Sequence, residues 1–366
     1  VASALVLVLS ISALAFRGGS KPIVIGKVDM TPSPTVVPIV PEGRPVPAAL
    51  NPNPLLGAGG GPPGSALAFR GAVNVPKDLQ FFLIIGSDAR PGEPFDHTRG
   101  DSIHIAAIDP RIRKGTILGI PRDSYVPIPG HGTQKINSAL AYGGPQLLAQ
   151  TIRDLTGFPI SYYAVTGFDG MVKMTNALGG VDVDVPYDMN DTAYSGANFK
   201  KGWHHMDGNQ VLAFSRDRHS LSNGDFGRSY NQGTVILDAL AKLRSQTSNE
   251  SGIRKWLKIL FAYARLNLNF EDAVRLGVFA RQLAPGNLIN VVTPGTAENV
   301  NGQSVVVLGD DAYRLFRDIG ADALADGKEH RQAPPPTPAP KPKPTPAPVH
   351  SPIPLPSPTP SGILPI

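Results

Sequence analysis

Arginines and carboxylates recur side by side where apolar segments of this chain end. Arg122 and Asp123 interrupt the run TILGIPRDSYV at residues 116–126, and Asp88 with Arg90, Arg99 with Asp101, Arg216 with Arg218, and Asp225 with Arg228 repeat the pattern. A guanidinium presents a planar fork of donors that matches phosphate oxygens. Carboxylates hold hard divalent cations, and magnesium commonly bridges one or two of them to substrate phosphates. The combination points to a site for a polyphosphate and a metal. Asp88 follows the apolar Phe81–Ile85 segment, and Asp101 leads into Ser102–Ile108. Antiparallel pairing of those segments would bring the two carboxylates together as Mg2+ ligands. Taken singly, each could equally cap a turn or pair with its neighbouring arginine. Arg228 and Gln232 stand one turn apart if Gly227 opens a helix, and the amino end of that helix favours an anion.

The histidines carry less. His204 and His205 are adjacent and would diverge on regular structure, which argues against a shared metal. His219 follows the arginine cluster and is placed either against a substrate or on an exposed loop. The chain contains no Gly-x-Ser-x-Gly elbow, His-Glu-x-x-His pair, EF-hand loop or Rossmann fingerprint.

The elements that must position these residues alternate. Strands are expected at Phe81–Ile85, Ser102–Ile108, Thr116–Ile120, Tyr162–Val165, Val181–Val185, Leu288–Val292 and Ser304–Leu308. Helices are expected at Gln146–Leu155, between Pro145 and Gly157, and at Phe168–Leu178, Gly227–Leu243, Lys255–Leu266, Glu271–Leu283 and Asp311–Ile319. The alternation predicts an α/β fold, a central mostly antiparallel or mixed sheet sandwiched by helices, over residues 77–325. The apolar faces around Val235–Leu243 and Leu257–Tyr263 read either as core or as the wall of a lipid tunnel.

The 366 residues leave room for such a core, and the net charge of +5 is modest. No lysine block or aromatic stripe suggests a nucleic-acid partner. The absence of cysteine excludes disulfides, zinc thiolates and a cysteine nucleophile. Much of the 39 Gly and 38 Pro falls in two flanking stretches. Residues 17–76 read as a flexible Pro/Gly-rich linker, and residues 332–366 as a Pro-rich disordered tail. Residues 1–16, VASALVLVLSISALAF, read as the end of a membrane anchor or as a signal segment; the anchor is preferred. The heptapeptide SALAFRG occurs at residues 12–18 and 65–71, and nothing physical accounts for the repeat.

From about Asp78 through Leu243, the blocks IGSDARPG, TRGDSI, IPRDSYVPIPGHGTQKINSALAYGG, FDGMVKMTNALGGVDVDVP, FSRDRH and GDFGRSYNQ follow one another. In this order they resemble the LytR-CpsA-Psr family. The resemblance implies a single-pass protein of the cell membrane with an extracellular catalytic domain. It would move a glycopolymer phosphate from a polyprenyl-pyrophosphate lipid carrier to peptidoglycan, with Mg2+. It also implies that Asp88 and Asp101 hold the metal and that Arg99, Arg122, Arg216, Arg218 and Arg228 bind the pyrophosphate. Asp225 and Gln232 would orient that network, Asp225 being a candidate general base by carboxylate chemistry alone, and Arg90 falls in the same motif. Ser229-Tyr-Asn231 departs from the bulkier residues usual there, and the proline-rich tail stands where some actinobacterial members carry a further domain. Two other readings use the same residues: a polyprenyl-pyrophosphate hydrolase with water as acceptor, and a non-catalytic lipid-phosphate-binding scaffold.

Overall fold

Six strands form the central sheet of the computed structural model, which describes residues 75–220 and 224–327. The expected anchor, most of the linker, the tail and both SALAFRG copies lie outside them. Among the described residues no helix is long and apolar enough to cross a membrane.

The sheet is built from β1 (Gln80–Ser87), β2 (Gly100–Asp109) and β3 (Lys114–Gly119), which form an antiparallel meander. After β4 (Tyr125–Ile128), β5 (Gly132–Lys135) and α1 (Ser138–Thr156), β6 (Tyr162–Thr166) returns parallel to β1. There follow α2 (Phe168–Ala177), β7 (Val181–Val185), β8 (Met189–Asp191), β9 (Ala197–Phe199), β10 (Gly202–Met206), α3 (Gly208–Arg216), α4 (Asp225–Gln246) and α5 (Glu250–Tyr263). Then come β11 (Arg265–Leu266), α6 (Phe270–Ala280), β12 (Leu288–Val292), β13 (Thr296–Val300), β14 (Gln303–Val307) and α7 (Asp310–Asp322). The sheet order is β11-β6-β1-β2-β3-β12, with β12 parallel to β3 and β11 antiparallel to β6. The sheet is therefore mixed, as the alternating pattern allowed.

Both faces of the sheet are covered, which explains the unbroken apolar run QFFLIIGS in β1. Alternate side chains enter separate cores. Phe82, Ile84, Ala106 and Ile117 pack with residues of α2 to α6. Phe81, Leu83, Ile105 and Leu118 pack with α1 and α7. Phe81 stacks on Phe158 at 4.7 Å between ring centroids, and Phe158 meets Phe316 edge-on. Val235, Leu240 and Leu243 of α4 and Leu257 and Leu260 of α5 are buried in the first core. Those faces are packed interior and do not line the cavity described below.

Most expected elements are present with modest shifts in their ends. Helix α5 stops three residues short of Leu266 because the chain turns extended at Ala264 and β11 pairs with the sheet edge. Tertiary pairing here overrides a helical apolar spacing. The β13–β14 hairpin has a plain local signal. Asn301 and Gly302 sit at φ 52° and 79°, and Val300 pairs with Gln303. This is the two-residue Asn-Gly turn that suits a right-twisted hairpin. The kink in α1 falls at Gly143 and Gly144, after which Pro145 reopens the helix.

Helices α2 and α3 meet at Gly208, where a Cβ would fall 2.3 Å from the Val172 carbonyl oxygen. Gly208→Ala would gain up to about 1 kcal/mol of helix propensity, but relieving a backbone clash costs about 1–3 kcal/mol. The clash should win. A lower urea midpoint with unchanged slope is expected; an unchanged midpoint would show that the two helices can separate freely.

Candidate active site

The pairings place the carboxyl ends of β1, β3, β6 and β12 and the amino end of β2 along one edge of the sheet. Ligands of open α/β sheets bind beyond such an edge. A cavity of about 300 Å³ opens there, lined by Asp101, Arg122, Arg216, Arg218, Arg228 and Gln232, among others.

Asp101 reaches the cavity through a β-bulge. Gly86 pairs with Ser102, and Ser87 pairs with Gly100, so Asp101 is the extra residue. A bulge re-aims a side chain out of the ladder. Its Oδ1 accepts from Arg122 Nη1 at 2.5 Å. Arg122 Nε lies 3.8 Å from Asp225 Oδ1 and 3.9 Å from Asp123 Oδ2, and Lys135 Nζ holds Asp123 at 3.0 Å. Arg228, one turn into α4, grips Asp225 in a short ion pair. Gln232, one further turn along, donates from Nε2 to the Ser215 carbonyl at 3.1 Å. The expected shared face of Arg228 and Gln232 is thus the face that meets the cavity.

Burial sets the electrostatics. It works against the Arg122 charge, but Asp101, Asp225 and Asp123 outweigh it and raise the guanidinium above its usual value. Burial pushes the Asp225 carboxyl up, with Arg228 pulling against it. Burial also lowers Arg228, which as a guanidinium still stays protonated. Arg122 Nε is buried without a hydrogen-bond acceptor. A desolvated donor left open beside a cavity is suited to an incoming anion, since leaving it unmade costs about 1–3 kcal/mol.

The sequence-predicted residues are not all gathered. Arg122, Arg216, Arg218, Arg228, Gln232 and Asp101 line the cavity, whereas Asp88, Arg90, Arg99 and Asp225 do not. Arg99 is exposed, and its backbone clasps Asp88: Arg99 N donates to Asp88 Oδ1, and Asp88 N to Arg99 O, each at 3.0 Å. Arg90 N donates to Glu93 Oε2 in an exposed turn. Asp225 stands behind the cavity wall, occupied by the two arginines it braces.

Asp88 and Asp101 sit on adjoining chain segments, and a nitrogen donor holds one oxygen of each. Among the described residues no group of three or more His, Cys, Asp or Glu side chains could enclose a metal ion. Asp101 in the lining of an arginine-rich cavity, with Asp88 on the adjoining segment, fits the chemistry of magnesium, which takes one or two carboxylates and fills the rest of its shell with water and phosphate oxygens.

Several lining residues were silent in the sequence. Ser87, Ser102 and Thr166 come from the strand ends, and Asp191 and Tyr194 from the β8 region. Their polarity is ordinary for loops, and only the fold aims them inward. Ser102 has a buried partner. Its hydroxyl lies 3.1 Å from His104 Nδ1, and His104 Nε2 lies 3.0 Å from the Ser229 carbonyl. A carbonyl can only accept, so Nε2 carries the proton and Nδ1 accepts from Ser102.

The LytR_cpsA_psr family model matches residues 66–318. The polyisoprenyl-teichoic acid–peptidoglycan teichoic acid transferase TagU of Enterococcus faecalis is 32% identical over 202 residues, 54% of this chain and 64% of that protein. The transferase of the same description from Bacillus subtilis, TagV, is 37% identical over 49% of this chain and 47% of its own length. The chain thus spans less than two thirds of these curated relatives. The crystal structure of B. subtilis TagV superposes with a TM-score of 0.58 at 26% identity, covering 67% of this chain and 96% of that one. A LytR-CPS2A-psr family protein, TagT, with bound octaprenyl pyrophosphate lipid superposes with a TM-score of 0.52 at 25% identity, over 67% of this chain and 89% of that one.

Burial lowers His104 from 6.5 to about 4. The unfolded chain therefore takes up a proton as pH falls below 6.5 while the folded chain does not until near 4. Stability that is full above the unfolded value should decline across this window by up to about 1.4 kcal/mol per pH unit. Urea unfolding of the wild type and of His104→Gln at pH 7, 6, 5 and 4 should show a shallower decline in the variant. Parallel curves would mean that His104 ionises freely in the folded protein.

Proposed function

The chain belongs to the LytR-CpsA-Psr family, and on that premise we propose that it is a phosphotransferase. In this reading it moves a glycopolymer phosphate from a polyprenyl-pyrophosphate carrier to a hydroxyl of peptidoglycan. The observation that carries the reading is the cavity wall: four arginines, two of them held by carboxylates, with an open buried donor at Arg122 Nε. Such a wall matches a pyrophosphate. The relatives named as teichoic acid transferases and the octaprenyl-pyrophosphate-bound structure support the same substrate class.

Phosphoryl transfer demands positioning and charge neutralisation more than covalent help. Arg122 and Arg228 are already oriented, so they can meet developing charge without reorganising. Arg216 and Arg218 are exposed at the cavity and close on the phosphates from the solvent side. Phe168, Met171 and Leu212 give the cavity an apolar wall for the first prenyl units. Asp88 and Asp101 would hold Mg2+, which when bound neutralises phosphate oxygens. Asp225 keeps Arg122 and Arg228 in place. Arg90 and Arg99 border the site through the Asp88 loop. Such an enzyme works at the outer face of the cell membrane, with residues 1–16 as its single-pass anchor.

The test is incubation of the full chain with a defined lipid-pyrophosphate-linked oligosaccharide, Mg2+ and peptidoglycan fragments. Mass spectrometry then follows both acceptor and released lipid phosphate. Glycan appearing on the fragment establishes transfer. Lipid phosphate released with glycan on water alone indicates the hydrolase, and tight binding without release indicates the scaffold. Arg218→Ala should weaken lipid binding and turnover together, because the contact exists in ground and transition states alike. Arg218→Lys should restore little, since an ammonium lacks the fork. Asp101→Asn should lower turnover by about 10²–10³-fold, the scale seen when one preorganised charge-stabilising group is lost, with a smaller change in lipid affinity. Wild-type rates in both Arg218→Ala and Asp101→Asn would remove the site from the mechanism.

A further inference from the structure

The far wall of the cavity holds a group that phosphate binding does not use. His219, just after Arg218, lines the cavity beside Asp191, Tyr194 and Ser195. Its Nδ1 lies 3.0 Å from Asp191 Oδ1, and Asp191 is buried at the end of β8. An ionised carboxylate accepts only, so Nδ1 carries a proton, and in the neutral imidazole Nε2 keeps its lone pair. No described residue bonds to Nε2. The Tyr194 ring covers the imidazole at 4.2 Å between centroids.

The arrangement is braced on every side. Tyr194, Ser195 and Gly196 all donate backbone N–H groups to the Asp191 carbonyl. Ser220, the residue after His219, accepts Asn190 N at its Oγ at 2.9 Å. Ser220 N reaches Asp217 Oδ1 at 3.3 Å. Asp217 is fully buried and abuts Asp191. Burial, reinforced by the neighbouring Asp191 charge, pushes Asp217 up. Asp191 is likewise buried, but its bond from His219 holds it below the ordinary range. Of the two carboxylates, Asp191 therefore carries the charge and faces the imidazole. The other charged groups lining the cavity are Asp101, Arg122, Arg216, Arg218 and Arg228.

We propose that His219 is the general base of the transfer, taking the proton from the acceptor hydroxyl, and that Asp191 is the residue that positions it. The proposal deepens the transferase reading and rests on it. As the acceptor oxygen forms its bond to the phosphorus of the glycosyl phosphate, His219 Nε2 takes the hydroxyl proton. The bond from that phosphorus to the bridging oxygen breaks, and the lipid phosphate leaves with the electron pair. The proton then passes from Nε2 to the departing phosphate or to water. Asp225 is poorly placed for this role, since both its neighbours are arginines and it lies outside the cavity lining.

The test compares full-chain wild type with His219→Gln, His219→Ala and Asp191→Asn. The substrates are the lipid-pyrophosphate-linked oligosaccharide and a peptidoglycan fragment. His219→Gln should lower kcat by about 10²–10⁴-fold, the usual scale of general-base loss, with lipid affinity unchanged. The acidic limb of the pH profile of kcat/KM should vanish in the same variant. Added imidazole should restore transfer in His219→Ala, which a merely structural histidine would not allow. Asp191→Asn should retain a limb but lower its plateau. A His219→Gln enzyme with normal kcat and an intact acidic limb, or one whose whole defect is weaker lipid binding, overturns the base role. If His219→Ala also loses its thermal transition, the pH profile of the folded His219→Gln decides in place of imidazole rescue, and an unchanged shape equally overturns the proposal. A wild-type chain that releases no lipid phosphate at all would instead overturn the transferase reading itself.

Discussion

Everything at this site depends on keeping two guanidiniums charged in a place where water is scarce. Arg122 and Arg228 could not be held at the sheet edge alone, because a buried unpaired charge is strongly destabilising. Asp101 and Asp225 answer this, so that carboxylate and guanidinium alternate from Asp101 through Arg122 and Asp225 to Arg228. The pairing is incomplete by design of the geometry: Arg122 Nε and Asp225 Oδ2 remain buried without hydrogen-bond partners. A fully satisfied network would have nothing left to offer an anion. A less satisfied one would not hold its shape.

The sheet supplies the rigidity that such a network needs. Its central strands are buried on both faces, and two cores clamp them. The bulge at Asp101 then turns one side chain of a rigid strand toward the cavity without loosening the strand itself. The loop that carries Arg122 is pinned in the same manner. Asn137 N donates to the Arg122 carbonyl, and Val306 N of β14 donates to the Asp123 carbonyl at 2.8 Å. A late hairpin thus fixes an early arginine. Sites on braced strand ends hold their geometry better than sites on free loops.

The opposite wall obeys a different logic. Arg216, Arg218 and His219 are exposed; Arg216 ends α3, and the loop after it is tied to the β8 segment by hydrogen bonds of His219 and Ser220 rather than by the sheet. One wall is held by the sheet and the other by its own hydrogen bonds.

The sequence by itself determined the parts whose signals are local. Apolar runs such as FFLII mark the buried strands, because a strand covered on both faces has no polar alternation to show. Pro145 and Gly157 bracket the second half of α1, and the i, i+4 spacing of Arg228 and Gln232 places them on one face. The repeated pairing of arginine with aspartate is likewise written in the chain itself, and it reads as phosphate chemistry. Only the tertiary structure decided which members of those pairs meet. Asp101 enters the cavity because strand register produces a bulge there, and register is a property of two strands together. Asp225 turns away because both its neighbouring arginines claim it. Asp191 and His219 are 28 residues apart in the chain, and nothing local to either says that they touch.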